Sequence, residues 1–465
     1  MATPPFGKVV LKILAARDTL VCDITTSDPY CLVSAKDSNG NSISQTFKTE
    51  VIYKTLNPVW KDEEFVLDVI GNSQIISILM YDEDKFSKDD FMGLIKINID
   101  EYKTKGQRDL WIPLEGKNPN KKAKKRGDIH IQLCYYSFTS LTNYLIKGNH
   151  NLISKLSKQL ISDDFGKAIM YYFSNCSDSG KELIDVVRDL ASVEIEQTND
   201  AKVLFRTDSL STKVIVSIFK TVGFGYLKEA LCPLIMSLIK NEINLEVDPS
   251  KGITEADAEQ NAIQLSFFCS SFITAIKASL DQLPIEIRQI CQIINELVEK
   301  KYPNDNIKSV GGFFFLRFVN PAIFSPEALG LISTPPSPNV RRTLTLVSKI
   351  LQNISNQVTF SSGKEEYLSS FNSFISSRFD DFKSILQEIS SCNNNNNNNN
   401  TTLFKSLKID SSLLMKYTDT IIISISEKKQ SIDIDQFNDE ILSRYQIIQL
   451  QQKQESKLSA KIEKK

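Results

Sequence analysis

The chain is poor in the residues that most acid–base and zinc chemistry requires. Only two of its 465 residues are histidine, His130 and His150, too few for a histidine-rich zinc site and a weak basis for a histidine-dependent triad. Its eight cysteines contain no C-x-x-C pair, the pattern of reduced thiols in a cytosolic protein. No charge dominates: 55 Lys and Arg against 56 Asp and Glu leave a formal −1. Bulk attraction to nucleic acid is therefore not expected, and any basic surface must be local. No stretch reads as a membrane span, and no N-terminal run pairs a charged start with an apolar core, so neither an anchor nor a secretory signal is expected.

What is present suits two to three domains with cores of their own, at 41% hydrophobic and 24% charged residues. The first 135 residues carry short β-branched runs between turn signals: "KVVLKILAA", "PYCLVSA", "EEFVLDVI", "SQIISILMYD", "FMGLIKINI" and "DIHIQLCYY". In the last run Ile129, Ile131 and Leu133 alternate with Asp128, His130 and Gln132, which gives one face to a core. Many strands without intervening helices predict an antiparallel sandwich.

Two loops of this region are rich in aspartate. "CDITTSDPY" contributes Asp23 and Asp28, and "YDEDKFSKDDFMG" contributes Asp82, Asp84 and Asp90. Such carboxylates are tolerated in water or around a hard cation. An EF-hand is excluded, because from Asp82 the required glycine falls on Ser87 and the bidentate glutamate on Gly93. "SDPY", then "TLNPVW", then D-x-D with another Asp six residues on resemble a calcium-binding C2 domain over about residues 5–136. The resemblance implies that Asp23, Asp28, Asp82, Asp84 and Asp90 hold Ca²⁺, although the first loop is one residue shorter than the commonest spacing. Bound Ca²⁺ would reverse the sign of the acidic end and leave positions open for phospholipid oxygens. Lys121, Lys122, Lys124, Lys125 and Arg126 in "NKKAKKRGD" form a basic cluster for an anionic membrane, worth about 1 kcal/mol per charge, or else a solvated loop.

From about residue 140 the period becomes helical. Leu183, Val186, Val187 and Leu190 share one face of a helix, and "STKVIVSIFKTVGFGYLKEALCPLIMSLIKNE" is a longer helical stretch with a break near Gly223 and Gly225. The stretch "GGFFFLRFVNPAIF" sets Arg317 among phenylalanines, where a guanidinium needs charged or carbonyl partners. Asn320 precedes Pro321 and is expected to leave helical geometry there. "LFR" at residues 204–206, "FFFLRFVNPAI", and "RTLTLVSKILQNISN" resemble in order and spacing the catalytic region of Ras GTPase-activating proteins, over roughly residues 140–375.

That resemblance implies that Arg206 is an arginine finger and that Arg317 holds the finger loop by its backbone carbonyls. It also implies that Phe205, Leu316, Asn320, Pro321, Arg342, Lys349, Gln352, Asn356 and Lys364 form the surface for the GTPase or its supporting loops. Arg342, Lys349, Gln352 and Asn356 share one helix face.

The asparagine run Asn393–Asn400 cannot bury anything and reads as a flexible insertion at 392–402. Helices beyond it are expected to pack back on residues 140–175. The expected architecture is a C2 sandwich at 1–138 and an all-α Ras-GAP domain at 139–465, its core at about 175–375, with extra helices at both ends. The expected function is GTPase activation toward GTP-bound Ras or Rap, on the inner face of the plasma membrane when Ca²⁺ rises. The chain would have no active site of its own, only a catalytic arginine supplied in trans. A Ras-binding adaptor without catalysis is the alternative. A lipid-modifying enzyme is disfavoured, since the helical half lacks a Walker loop, a G-x-S-x-G elbow and a kinase signature.

Overall fold

The computed structural model describes residues 6–37, 40–41, 46–61, 63–70, 74–85, 87–103, 105–117, 125–137, 145, 153, 157–175, 180–201, 203–361, 363, 365–391, 403–428 and 439–462. These fall into two compact units, residues 1–144 together with 409–465, and residues 145–408. Lys121, Lys122, Lys124, Lys364 and the asparagine run lie outside the described residues.

The first unit is a sandwich. Its strands are β1 (Phe6–Arg17), β2 (Pro29–Lys36), β3 (Phe47–Lys48), β4 (Glu64–Ile70), β5 (Ile75–Asp82), β6 (Asp90–Asn98), β7 (Arg108–Pro113) and β8 (Asp128–Ser137). They form two four-stranded antiparallel sheets, in the orders β4-β1-β8-β7 and β3-β2-β5-β6. The alternation seen in the sequence fills the space between them: Val9, Leu11 and Ile13 of β1 and Ile129, Ile131 and Leu133 of β8 are almost wholly buried. Two strands had no clear signal in the sequence, β3 because it is two residues long and β7 because its burial is slight.

The second unit is helical: α1 (Asp163–Asn175), α2 (Lys181–Gln197), α3 (Leu210–Val222), α4 (Phe224–Lys240), α5 (Glu255–Ala278), α6 (Ile285–Lys301), α7 (Asn306–Phe324), α8 (Pro338–Asn356), α9 (Asn372–Ser377) and α10 (Phe379–Ser390). Helices α3 and α4 break at Gly223, where an added Cβ would stand 2.3 Å from the Phe318 ring. That close approach requires glycine. Contrary to the sequence expectation, α7 is long and apolar enough to cross a membrane by length and composition. Its apolar residues Phe313, Phe314, Phe315, Phe318 and Val319 are instead buried in the helical core, each worth roughly 1.5–3 kcal/mol.

The C-terminal helices, α11 (Ser411–Glu427) and α12 (Asp439–Ile462), correct another expectation. Residues 403–408 return to the segment of α1, where Asn175 Nδ2 donates to the Leu407 carbonyl (3.0 Å) and Lys408 Nζ to that of Ser174 (2.8 Å). Helices α11 and α12 belong to the sandwich unit. The reason lies on β1, where Lys8 projects from the sheet and is 1% exposed. Its ammonium donates to Asp68 Oδ1 at 2.9 Å and Gln451 Oε1 at 2.6 Å and pairs with Asp419 Oδ2 at 3.1 Å. Arg444 is equally buried and gives two donors to the Ser137 carbonyl (3.1 and 2.5 Å). Gln454 accepts from the Val66 amide (3.2 Å) and donates to the Glu64 carbonyl, closing the free edge of β4.

Burial pushes the Asp419 carboxyl up to about 6, with Lys8 opposing the rise. Lys8→Met takes away the cation that opposes this rise, so the carboxyl is pushed further up and the variant loses about 3–5 kcal/mol at high pH, where removing the cation strands the buried charge. As pH falls the carboxyl takes a proton in the folded state before the unfolded one does, and a neutral Asp419 no longer needs the cation, so the variant's deficit shrinks by pH 5. Denaturant titration by tryptophan fluorescence reports this unit, since both tryptophans, Trp60 and Trp111, lie in it. An equal deficit at both pH values would rule out the coupling.

Candidate functional site

The loop between α2 and α3 is tied at its entry, tip and exit by hydrogen bonds. At its entry, Lys301 Nζ reaches the carbonyls of Ile195, Glu196 and Thr198 (2.8, 2.9 and 2.8 Å), and the Tyr302 hydroxyl also donates to Thr198. An ammonium at a helix C-terminus satisfies carbonyls that have no intrahelical donor and faces the negative end of the dipole. At its exit, Ser209 caps α3: its hydroxyl accepts from the Thr212 amide (3.1 Å) while Thr212 Oγ1 accepts from the Ser209 amide (2.9 Å). Between these ends, successive turns close through Val203 N to Asp200 O and Arg206 N to Val203 O.

Arg317 holds the tip. Its Nε and Nη2 donate to the Phe205 carbonyl (3.1 and 2.7 Å), and Nη2 also reaches those of Arg206 (3.0 Å) and Thr207 (3.3 Å). The side chain is 18% exposed, so those carbonyls supply what the apolar surroundings do not. Phe205 sits in the left-handed region at φ 56°, a conformation that costs about 1–3 kcal/mol in a residue other than glycine. Two terms exceed that cost. The Phe205 ring is 3% exposed and packs 4.8 Å from the Phe313 ring, worth roughly 1.5–3 kcal/mol, and each hydrogen bond to a charged donor adds about 1.5–3 kcal/mol. The strain is held by burial, and Arg206, next along the chain, is left exposed.

Helix α7 aims Arg317 by an irregularity the sequence did not reveal. From Gly312 to Val319 it widens into a π-helix, then resumes as α-helix over Asn320–Phe324. Asn320 is fully helical (φ −63°, ψ −41°), against the expectation that Pro321 would turn the chain. A widened turn relieves the clash of a proline ring with the preceding turn and tolerates its missing amide hydrogen, so the helix runs through Pro321. Asn320 is 7% exposed, and its Nδ2 donates to Gln352 Oε1 (2.7 Å) while Gln352 Nε2 donates to Asn356 Oδ1 (3.1 Å).

Arg206, Leu316 and Asn356 meet around one open hollow of about 380 Å³, also lined by Asp200, Asp305 and Lys308. Phe205 also borders this hollow, although its ring is almost wholly buried and anchors the loop. Other expected contact residues are engaged elsewhere. Arg342 is bidentate to Glu246 (2.8 and 2.9 Å), and Lys349 is paired with Glu365. The polar face of α8 is real, but much of it is satisfied within the chain. Lys301 and Tyr302 went unnoticed because their partners lie about a hundred residues away, with no local motif.

At one end of the sandwich, strand register gathers the aspartates: Asp82 pairs with Pro29 and with Asp90, next to Asp28. Burial, then the charges of Asp23, Asp28 and Asp84, raise the Asp82 carboxyl above the usual range. Asp82 Oδ1 accepts from the Asp28 amide, and Asp28 Oδ1 from the Lys54 amide (2.7 Å). The sequence overlooked Asp89, which accepts from the Tyr30 hydroxyl (2.5 Å) and the Asp84 amide (3.1 Å), bonds that lower its pKa. Among the described residues no three His, Cys, Asp or Glu side chains are placed to hold a metal ion. The donor chemistry suits Ca²⁺, but several carboxylate oxygens are turned to backbone amides. Ile24, between Asp23 and Asp28, is 98% exposed. Of the described basic residues, Lys125 stands in solvent and Arg126 donates to the Met92 carbonyl (2.6 Å).

Family models match both units: C2 domain over residues 7–114, and GTPase-activator protein for Ras-like GTPase over residues 186–261 and 253–356. The chain carries a C2 domain and a RasGAP domain. A probable Ras GTPase-activating-like protein, ngap, of Dictyostelium discoideum is 32% identical over 209 residues, 44% of this chain and 24% of its own. Ras GTPase-activating protein 2 of Rattus norvegicus is 26% identical over 83% of this chain and 50% of its own, and the rat Disabled homolog 2-interacting protein 28% over 73% and 35%. The chain thus spans half or less of the length of these relatives.

Arg317→Lys removes the fork but keeps a charge. Loss of even one charged hydrogen bond predicts amide exchange in residues 203–208 at least about tenfold faster, with the helices of the RasGAP domain unchanged. Unaltered loop protection would show that the carbonyl contacts do not hold the loop.

Proposed function

We propose that this protein activates GTP hydrolysis by a Ras-type small GTPase, supplying Arg206 to that enzyme's active site. The observation that carries the proposal is the exposed Arg206 on a loop whose three consecutive carbonyls are gripped by Arg317. Phosphoryl transfer spreads charge over the transferring group, and stabilising it is a matter of positioned cations. A planar, permanently charged guanidinium does this as a fork, where an ammonium acts as a point. Fixing the backbone before the encounter lowers the entropy lost on placing the side chain in the complex. The chain takes no proton and forms no covalent bond; hydrolysis is the partner's chemistry. Leu316, Asn356, Lys308 and the polar face of α8 around Gln352 form the surrounding surface. Ras and Rap are both candidate partners.

The C2 domain would bring this activity to an anionic phospholipid membrane, the inner face of the plasma membrane. Asp23, Asp28, Asp82, Asp84 and Asp90 would take Ca²⁺ through carboxylate oxygens, the ion's charge supplying attraction to phosphate. The exposed Ile24 would enter the headgroup region, and Lys125 would add charge attraction. Confining both partners to a surface raises their effective concentration.

Single-turnover phosphate release from GTP-loaded Ras and Rap tests the finger. Arg206→Ala should lose most of the acceleration, within the roughly 10³–10⁵-fold worth known for fingers supplied to Ras, while binding to the GTP form persists. Binding without acceleration by the unaltered protein would favour the adaptor. For the membrane arm, sedimentation with phosphatidylserine vesicles should require Ca²⁺ and fall at least about tenfold in Asp28→Asn plus Asp84→Asn. Binding that ignores both Ca²⁺ and the substitutions would remove the calcium role.

A further inference from the structure

Arg317 grips the finger loop from one side, and the structure holds a second grip from the opposite charge. Glu194 lies in the last turn of α2, half-buried, beneath the residues that follow the finger. Ser209 Oγ donates to Glu194 Oε2 at 2.6 Å. The same hydroxyl accepts from the Thr212 amide, so its one hydrogen goes to Glu194 and its lone pair caps α3. The carboxylate thus ties the end of α2 to the start of α3, the two ends of the finger loop. The Arg317 guanidinium and the Phe205 amide add to the field that favours its charge.

We propose that Glu194 is a positioning residue for the arginine finger, fixing the loop's exit against the end of α2 while Arg317 fixes its tip. This rests on the activator reading above and extends it to a residue that never meets nucleotide. The division of labour follows from the groups available. Carbonyls at Phe205, Arg206 and Thr207 need a cationic donor, and the hydroxyl at the exit needs an acceptor. A neutral side chain at 194 could meet the second need but could not share the field of Arg317. Burial pushes the Glu194 carboxyl above the ordinary range while the Ser209 and Ser211 hydroxyls and Arg317 oppose the rise, a pattern common at functional sites.

Glu194 borders an open hollow of about 410 Å³ that also touches Thr207 and Asp208. Truncation at 194 therefore opens a space that water can fill, not a dry void in the core, and the fold should survive. That separates positioning from folding.

The test uses the full chain with Glu194→Ala and Glu194→Gln, read in two ways. In the free protein, hydrogen exchange of residues 203–209 should quicken at least about tenfold in the Ala variant while α5, α6 and α8 are unchanged. With GTP-loaded Ras at saturation, the single-turnover rate should fall at least about tenfold, while the half-saturating concentration moves less than about threefold. The Gln variant keeps an acceptor for Ser209 and loses the charge, so it should lie between the two in both readouts. Unchanged loop exchange in the Ala variant overturns the proposal. So does faster exchange spread evenly over the helical unit, which would make Glu194 a general support of the fold. Should the unaltered protein accelerate no GTPase, the activator reading falls, and the exchange arm still decides what Glu194 does.

Discussion

Three backbone carbonyls in a row facing one guanidinium is the constraint on which the helical domain's site depends. Arg317 can serve Phe205, Arg206 and Thr207 together only because its fork is planar and because α7 is held rigid. The phenylalanines beside it anchor that helix by burial, and the π-helical turn lets it pass through Pro321 without breaking. The loop in turn accepts a left-handed Phe205, which buries one ring and leaves the next side chain in solvent. A strained backbone, a buried cation and a widened helix would each be costly alone. Here each supplies what another lacks.

The sandwich has a counterpart in Lys8, a buried ammonium that reaches Asp68, Gln451 and Asp419. Two of those acceptors come from helices more than four hundred residues further along the chain. A C2 sheet that carries a buried lysine on its outer face needs a polar cover, and α11 and α12 provide it with Asp419 and Gln451. The C2 unit is therefore assembled from both ends of the sequence, with residues 145–408 forming a separate unit between them.

At the sandwich end the aspartates express a different balance. Strand register brings Asp28, Asp82 and Asp90 together, and backbone amides give hydrogen bonds to the carboxylates of Asp82 and Asp28. Any cation taken there would have to displace those amide bonds.

Much of this was legible in the residues themselves. β-branched alternation specified the sandwich, because a strand with one buried face must alternate. The helical period specified the second domain, a guanidinium among phenylalanines called for charged or carbonyl partners, and the family was legible only through the resemblance of the motifs around Arg206 and Arg317. What stayed hidden is long-range. The hydrogen bonds that Lys301, Tyr302 and Glu194 make at the ends of the α2–α3 loop, the engagement of Arg342 by Glu246, the continuity of α7 through Pro321, and the docking of α11 and α12 on the sandwich leave no periodic trace. Sequence determines which faces are apolar and which groups need partners. Only the tertiary structure decides which partner each receives, because hydrogen bonds and ion pairs between distant segments exist only once the backbone has brought them within about 3 Å.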